Sequence, residues 1–407
     1  MLNIKSFKGY FYNRDKAGQL NNLVAPPYDV IEPDYREKLA TSSEFNIANL
    51  LLPEQGETAD YYQRVKNSFS NWIKQNIIVQ DTSPDFYFLK QTFSHKNRKN
   101  ERIGFLGLMD LKDVKNVIRH EHIIKKYSED RKRLIEITKT NLEPVFFLYE
   151  DDEFLLNKAV ENADTFQDVE FENVKNSFGK IKNTDFFSRL VEKIKNGFVY
   201  IADGHHRFSA SLKSYMENPG NAPQNVLVYF TNLLSENLII LPTHRLVYND
   251  NITWSKLLAA ITPYFSIERF IDFSSLKEAL STSGPNSFGV YGTGRFYLWK
   301  LINIKNIEKF LPYSEIEEWK RLDAVILHHF ILKEILKLSP EEKIFYEKDE
   351  NLVFEKAKSG PRGFAFFLNP TDINDIKIIS QKGGVLPAKT TYFYPKIPSG
   401  LIFYKSD

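Results

Sequence analysis

The run Val199-Tyr200-Ile201-Ala202-Asp203-Gly204-His205-His206-Arg207-Phe208-Ser209-Ala210-Ser211-Leu212 constrains the fold more than any other stretch of the chain. Its apolar, β-branched and aromatic opening predicts a buried strand. Its close predicts a helix, because Phe208, Leu212 and Tyr215 fall near one face at helical spacing. An acid, a glycine, two histidines and an arginine therefore sit where a strand hands over to a helix. Backbone N–H groups at a helix start lack intrahelical acceptors and attract anions. Gly204 lets the backbone come close to a ligand. Arg207 can hold a phosphate by two parallel hydrogen bonds, and Asp203 can hold a metal or take a proton. A strand-to-helix turn does not need these five residues together for its own sake.

The rest of the chain sets the scale. A single core rarely grows beyond ~250–300 residues, so 407 residues predict two domains. The short polar segment Asn249 to Thr253 is the predicted boundary, giving 1–249 and 250–407. A net charge of +2 gives no reason to expect a nucleic-acid or membrane footprint. Cysteine is absent, which excludes disulfides, thiolate metal sites and a thiol nucleophile and suits a cytoplasmic protein. Met1 to Asp15 is charged throughout, so no signal peptide is expected, and no stretch approaches the ~18–20 apolar residues of a membrane span.

Periodicity predicts a helix over Glu57 to Gln75 and paired strands at Phe86–Phe93 and Ile103–Leu111, turning over Ser94 to Arg102. A helix follows at Glu129–Leu142, a buried strand at Pro144–Tyr149, and a peripheral hairpin and helix over Asp151 to Asn183. Asn225–Leu233 and Leu238–Tyr248 read as strands, the second interrupted by Thr243-His244-Arg245. Beyond the boundary, helices and strands alternate, with Ser274 as a candidate N-cap and a strong helix over Leu322–Leu336. The fold class is α/β mixed, with a second α+β domain.

Several constellations could carry chemistry. Seven of the eight histidines fall at His120/His122, His205/His206, His244 and His328/His329. With Asp203 and Glu121 they raise a metal-dependent hydrolase as one reading, although no His-Glu-x-x-His zincin spacing occurs. Glu121 is flanked by Arg119, His120 and His122, cations that would keep it ionised and able to take a proton from a hydroxyl. Thr243-His244-Arg245 is an unusual polar set inside an apolar strand and calls for partners or a ligand. Tyr28 and Asp29 follow the rigid Pro26-Pro27 approach and could line a site. In Gly383-Gly384-Val385-Leu386-Pro387-Ala388-Lys389-Thr390-Thr391-Tyr392-Phe393-Tyr394-Pro395-Lys396, Lys389 could reach a phosphate. Aromatic strand formers follow it, so this is no Walker motif.

Asp203-Gly204-His205-His206-Arg207 resembles the phosphate-binding turn of the ParB/sulfiredoxin superfamily, in the version found in its free-serine kinases. The whole chain resembles the prokaryotic family called domain of unknown function 1015. The pieces that match are Ala25-Pro26-Pro27-Tyr28-Asp29-Val30-Ile31, Arg119-His120-Glu121-His122, the Asp203–Arg207 turn, Leu241-Pro242-Thr243-His244-Arg245 and Leu386 to Phe393. The resemblance implies a ParB/sulfiredoxin-like mixed core with N-terminal additions. It also implies a phosphotransferase on a small hydroxyl metabolite, with free serine and O-phosphoserine as the substrate pair, ATP or ADP as nucleotide and Mg²⁺ as cofactor. On this reading Glu121 is the base, and Asp203 holds Mg²⁺ or the hydroxyl. Gly204, His205, His206, Arg207 and Lys389 hold phosphates, while Arg119, His120, Thr243, His244, Arg245, Tyr28 and Asp29 contact substrate. The alternative from another class is a ParB-like nucleotide-binding regulatory or DNA-binding protein.

Overall fold

The computed structural model describes residues 1–54, 60–121, 123–182, 184–249, 252–338, 344–360, 363–387 and 389–406. It is a mixed α/β protein of two compact units. The first comprises Met1–Arg119, Ile123–Ile239 and Pro395–Asp407; the second comprises His120–His122 and Ile240–Tyr394. Where sequence suggests one cut at Asn249–Thr253, the units interleave, and the last residues fold with the first unit for a pairing reason. Ala25 and Ser399 exchange backbone hydrogen bonds, as do Tyr10 and Phe403, and Tyr404-Lys405 pairs with Thr140-Asn141.

The first unit is built on a nine-stranded sheet. Its path runs Val117–Ile118, Val199–Asp203, Val145–Tyr149, Asn225–Asn232, Arg98–Asp110, Tyr87–His95, Val174–Lys180 and Thr165–Phe171, with Ile4–Lys5 beside Arg98–Asp110. Val199–Asp203 lies parallel to Val117–Ile118 and antiparallel to Val145–Tyr149. It is buried along its apolar residues, as an interior strand must be. Phe105, Phe147, Phe230 and Ile201 from the sheet share one core with Leu190 and Ile194 of helix Asp185–Asn196 and Phe208 and Leu212 of helix His205–Glu217. A Cβ at Gly104 would sit 2.2 Å from the Tyr229 ring, so the missing side chain is what admits that ring.

Sequence and structure differ here in instructive places. The hairpin expected to turn over Ser94 to Arg102 turns at Lys96-Asn97 alone, both at positive φ, so His95 ends a strand. Cross-strand pairing carries polar residues into a ladder that an apolar pattern does not mark. The hairpin of Thr165–Phe171 and Val174–Lys180 is no appendage, because it extends the main sheet along Tyr87–His95. The helix expected at Glu129–Leu142 starts and ends about one turn earlier, at Lys125–Thr138, with Lys139 left-handed as its C-cap. Helix Asp185–Asn196, capped by Thr184, is an element the sequence reading left unassigned.

The second unit carries a six-stranded antiparallel sheet. Its order is Phe265–Phe270, Arg295–Leu301, Ser287–Gly292, Gly363–Phe367, His244–Tyr248 and Phe345–Glu347. Helices Phe273–Thr282 and Glu350–Ser359 bury Leu276, Leu280, Val353 and Ala357 against Leu246, Ala365 and Phe367. Asp272, not Ser274, caps the first of these, its carboxylate accepting from the Ser275 N–H at 2.8 Å. The expected helix over Leu322–Leu336 is present, but Ile326–Ile335 is wound as a π-helix.

Candidate functional site

Val199–Asp203 ends in an irregularity: Ile201 faces Phe147 and Asp203 faces Phe146, so one extra residue is accommodated between them. Such a bulge re-aims the side chain that follows, here Asp203. Gly204 then takes φ 84°, ψ 28°, the left-handed region, and opens helix His205–Glu217 as its N-cap. A Cβ there would be strained and would meet the Arg207 guanidinium at 3.0 Å. The Gly204 carbonyl accepts from Phe208 N–H at 2.9 Å, as the first bond of the helix. The N–H groups of His205, His206 and Arg207 therefore precede any intrahelical partner.

Both oxygens of Asp203 carry a cation. Arg207 donates from Nη2 to Oδ2 at 2.7 Å, and Lys396 donates from Nζ to Oδ1 at 2.5 Å. Burial alone would raise the Asp203 pKa, but Lys396 and Arg207 outweigh it and hold the carboxyl down at about 2. Arg207 also donates from Nη1 to the Pro144 carbonyl at 2.5 Å. Burial works against its charge, and Glu143, Asp203 and Asp29 more than restore it. Glu143 is itself buried, accepting from the Tyr28 N–H at 3.0 Å and from the Ser399 hydroxyl at 2.8 Å. Tyr28 is buried with its ring 4.3 Å from the Arg131 guanidinium, and burial pushes its phenol far above the usual range. Asp29 is exposed.

The remaining turn residues divide their duties. His205 is buried, and His206 accepts the Ile124 N–H on Nε2 at 3.0 Å. Arg119 is exposed and lies 5.1 Å over the Phe208 ring. Asp203, Gly204, His205, His206, Arg207, Arg119, Tyr28 and Asp29 thus all belong to the first unit.

The other predicted residues belong to the second unit. Its pairing joins two sequence motifs: Leu386 N–H donates to the His120 carbonyl at 2.7 Å, and Glu121 bridges Leu386 in parallel. His120 is buried and Glu121 half-buried; His122 lies outside the described residues, as does Ala388 of the C-terminal motif. Thr243, His244 and Arg245 are buried. Arg245 donates from Nη2 to the Lys389 carbonyl at 3.1 Å and from Nη1 to the Thr243 carbonyl. Lys389 is exposed at φ 59°. His244 Nδ1 accepts the Leu368 N–H at 3.2 Å, and burial lowers its pKa to about 3. His244 is therefore a neutral imidazole with its proton on Nε2. Burial likewise lowers Arg245 to about 10. His328 is exposed and His329 half-buried, 5.8 Å from Trp319.

Asp203 does not fit the Mg²⁺ role, since an ion would have to displace Lys396 or Arg207 to reach an oxygen. Among the described residues, no group of three His, Cys, Asp or Glu is placed to hold a metal. No described helix is long and apolar enough to cross a membrane.

Sequence reasoning missed Lys396, Glu143, Arg102 and Ser399. Arg102 is fully buried between the Phe146 and Tyr229 rings, at 4.9 and 5.9 Å. The one local signal was a charged residue set against apolar strand residues, as in Arg102-Ile103 and Glu143-Pro144-Val145. Lys396 gave no signal of its own beyond lying at the end of the C-terminal motif.

The family model described as "Protein of unknown function (DUF1015)" matches residues 4–325. No curated protein matches the chain. Several solved structures are similar to it, among them the following three. SbnI with C-terminal truncation from Staphylococcus aureus is 12% identical, covering 72% of this chain and 85% of that one, with a TM-score of 0.38. A conserved hypothetical protein from Pyrococcus furiosus is 12% identical, covering 72% and 92%, with a TM-score of 0.37. A free serine kinase in complex with AMP is 13% identical, covering 70% and 85%, also at 0.37.

Proposed function

The chain belongs to the DUF1015 family, and we propose that it is a phosphotransferase whose phosphate site is the Asp203–Arg207 turn, acting on a small hydroxyl metabolite. The observation that carries this reading is the turn itself. Gly204 in the left-handed region opens a helix whose first N–H groups precede any intrahelical partner, and the buried Arg207 and the half-buried Lys396 stand on one carboxylate beside it. Phosphoryl transfer asks a protein mainly for positioning and for charge neutralisation. Free serine and O-phosphoserine are the proposed substrate pair, and ATP or ADP the nucleotide, on the resemblance of the turn.

In the forward direction the serine hydroxyl oxygen forms the new O–P bond as the phosphoanhydride bond of the nucleotide breaks. The shortened nucleotide leaves with the electron pair of that bond. Glu121 takes the hydroxyl proton, a role assigned on motif order. The N–H groups of His205, His206 and Arg207 bind phosphate oxygens, and Arg119, Arg245 and Lys389 are proposed substrate or phosphate contacts. His244 contributes a neutral hydrogen bond rather than charge.

The test is phosphorus NMR of the full chain with serine plus ATP or ADP, and with O-phosphoserine with and without ADP. Phosphoserine should be made or consumed. Glu121→Gln should cut the rate by ~10²–10⁴, the usual worth of a general base, with nucleotide binding retained. No turnover of either compound would remove serine as the substrate.

A further inference from the structure

The C-terminal segment enters the first unit beside the turn, and its backbone is held there by buried side chains. Arg102 donates from Nη2 to the Pro395 carbonyl at 2.5 Å and to Gln91 Oε1 at 2.5 Å. Gln91 Nε2 in turn donates to the Lys396 carbonyl at 3.1 Å and to Asn176 Oδ1 at 2.9 Å. Arg102, Gln91 and Asn176 are each at most 1% exposed. A buried guanidinium and two buried amides are costly to place in an apolar sheet. Here they fix two consecutive carbonyls, Pro395 and Lys396. Three residues on, Ser399 is fixed again by Glu143 and by Ala25. The segment so anchored delivers one side chain to the turn, with the Lys396 ammonium on Asp203 Oδ1 while Arg207 holds Oδ2.

A divalent ion at a phosphate site typically rests on one or two carboxylates and bridges to phosphate oxygens. Here the acid of the turn has both oxygens taken by protein cations, and the one on Oδ1 arrives from a segment built to carry it. We propose that Lys396 is a phosphate-binding residue of the turn that stands on Asp203 in place of a divalent metal, so that the turn binds phosphate without one. Asp203 is then a positioning residue for Lys396 and Arg207, not a metal ligand. This rests on the phosphate-site reading above for its ligand class, and not on serine as substrate.

The experiment is phosphorus NMR titration of the full chain with inorganic phosphate and, separately, with AMP, each in Mg²⁺ and in EDTA. Wild type, Lys396→Met and Lys396→Arg are compared, with circular dichroism as the check on folding. Wild type should bind phosphate equally in Mg²⁺ and EDTA. Lys396→Met should weaken it about tenfold or more, the loss of one charge-assisted contact, and Lys396→Arg should restore most of it. Binding of phosphate but not AMP supports the inference while removing the nucleotide from the proposed function. Phosphate binding that vanishes in EDTA, a folded Lys396→Met that binds like wild type, or a wild type that binds neither probe each overturns it. Should Lys396→Met not fold, the wild-type comparison between Mg²⁺ and EDTA and the Lys396→Arg affinity decide.

Discussion

Arg207, in the first turn of a helix, and Arg245, at the start of a strand, are both buried guanidiniums, and their surroundings are opposite in kind. Arg207 meets a carboxylate, a carbonyl and the field of two further acids, so its charge is reinforced. Arg245 meets the carbonyls of Thr243 and Lys389 and the Tyr346 ring at 5.5 Å, and burial erodes its charge. The acids whose charge acts on the two guanidiniums differ in the same way. Two cations hold Asp203 at about 2, whereas burial lifts Asp323 to about 6. Two basic clusters that look equivalent as residue types are therefore a charge-balanced site in the first unit and an under-compensated cation in the second. Only the first has the electrostatic build of a fixed ionic centre.

The sharpest way to break the contrast is Asp203→Ala, which strands the buried Arg207 and the half-buried Lys396 and should cost ~3–5 kcal/mol in urea unfolding. The same group sets an acid limit. Its folded pKa lies below the ordinary aspartate value of 3.8, so its contribution is present above about pH 4 and is lost as pH falls toward 2. The Asp203→Ala variant should lack that loss. Next, Arg207→Met should cost ~2–3 kcal/mol, while Arg245→Met should change stability by no more than ~1 kcal/mol, because a weakly compensated buried charge is replaced by apolar volume. Equal losses would erase the distinction. An effect on the order of 2–3 kcal/mol belongs to Asp323. Its folded pKa is raised to about 6 from 3.8, so its contribution is present below about pH 4 and is lost as pH rises through 6. Asp323→Asn should flatten that part of a thermal-unfolding pH profile. The smallest effect is spectroscopic: the His244 ring should show no NMR titration between about pH 5 and 7.5, since its pKa lies near 3.

Much of the fold was legible because its signals are local. The alternation and apolar runs marked Val145–Tyr149, Val199–Asp203 and Asn225–Asn232, and the period of Phe208, Leu212 and Tyr215 marked the helix after the turn. What escaped was decided by pairing across the chain. Arg98–Arg102 became strand because Tyr87–His95 offers the complementary ladder. Pro395–Asp407 joined the first unit because Ala25, Tyr10 and Thr140 bind its backbone. For these C-terminal pairings no local window of sequence contains both partners.

The same division runs through the candidate site. The sequence alone determined where the turn lies, that Gly204 must open it, and that Asp203 and Arg207 flank it, because a strand, a left-handed residue and a helix N-terminus are written within a few neighbouring residues. The tertiary structure alone decided the charge state of what was written. It placed Lys396 on Asp203 across 193 positions of chain and Glu143 within the field of Arg207. It also turned His244 into a neutral acceptor of the Leu368 N–H. Electrostatic character depends on distance and burial, and these are properties of the folded chain rather than of residue type.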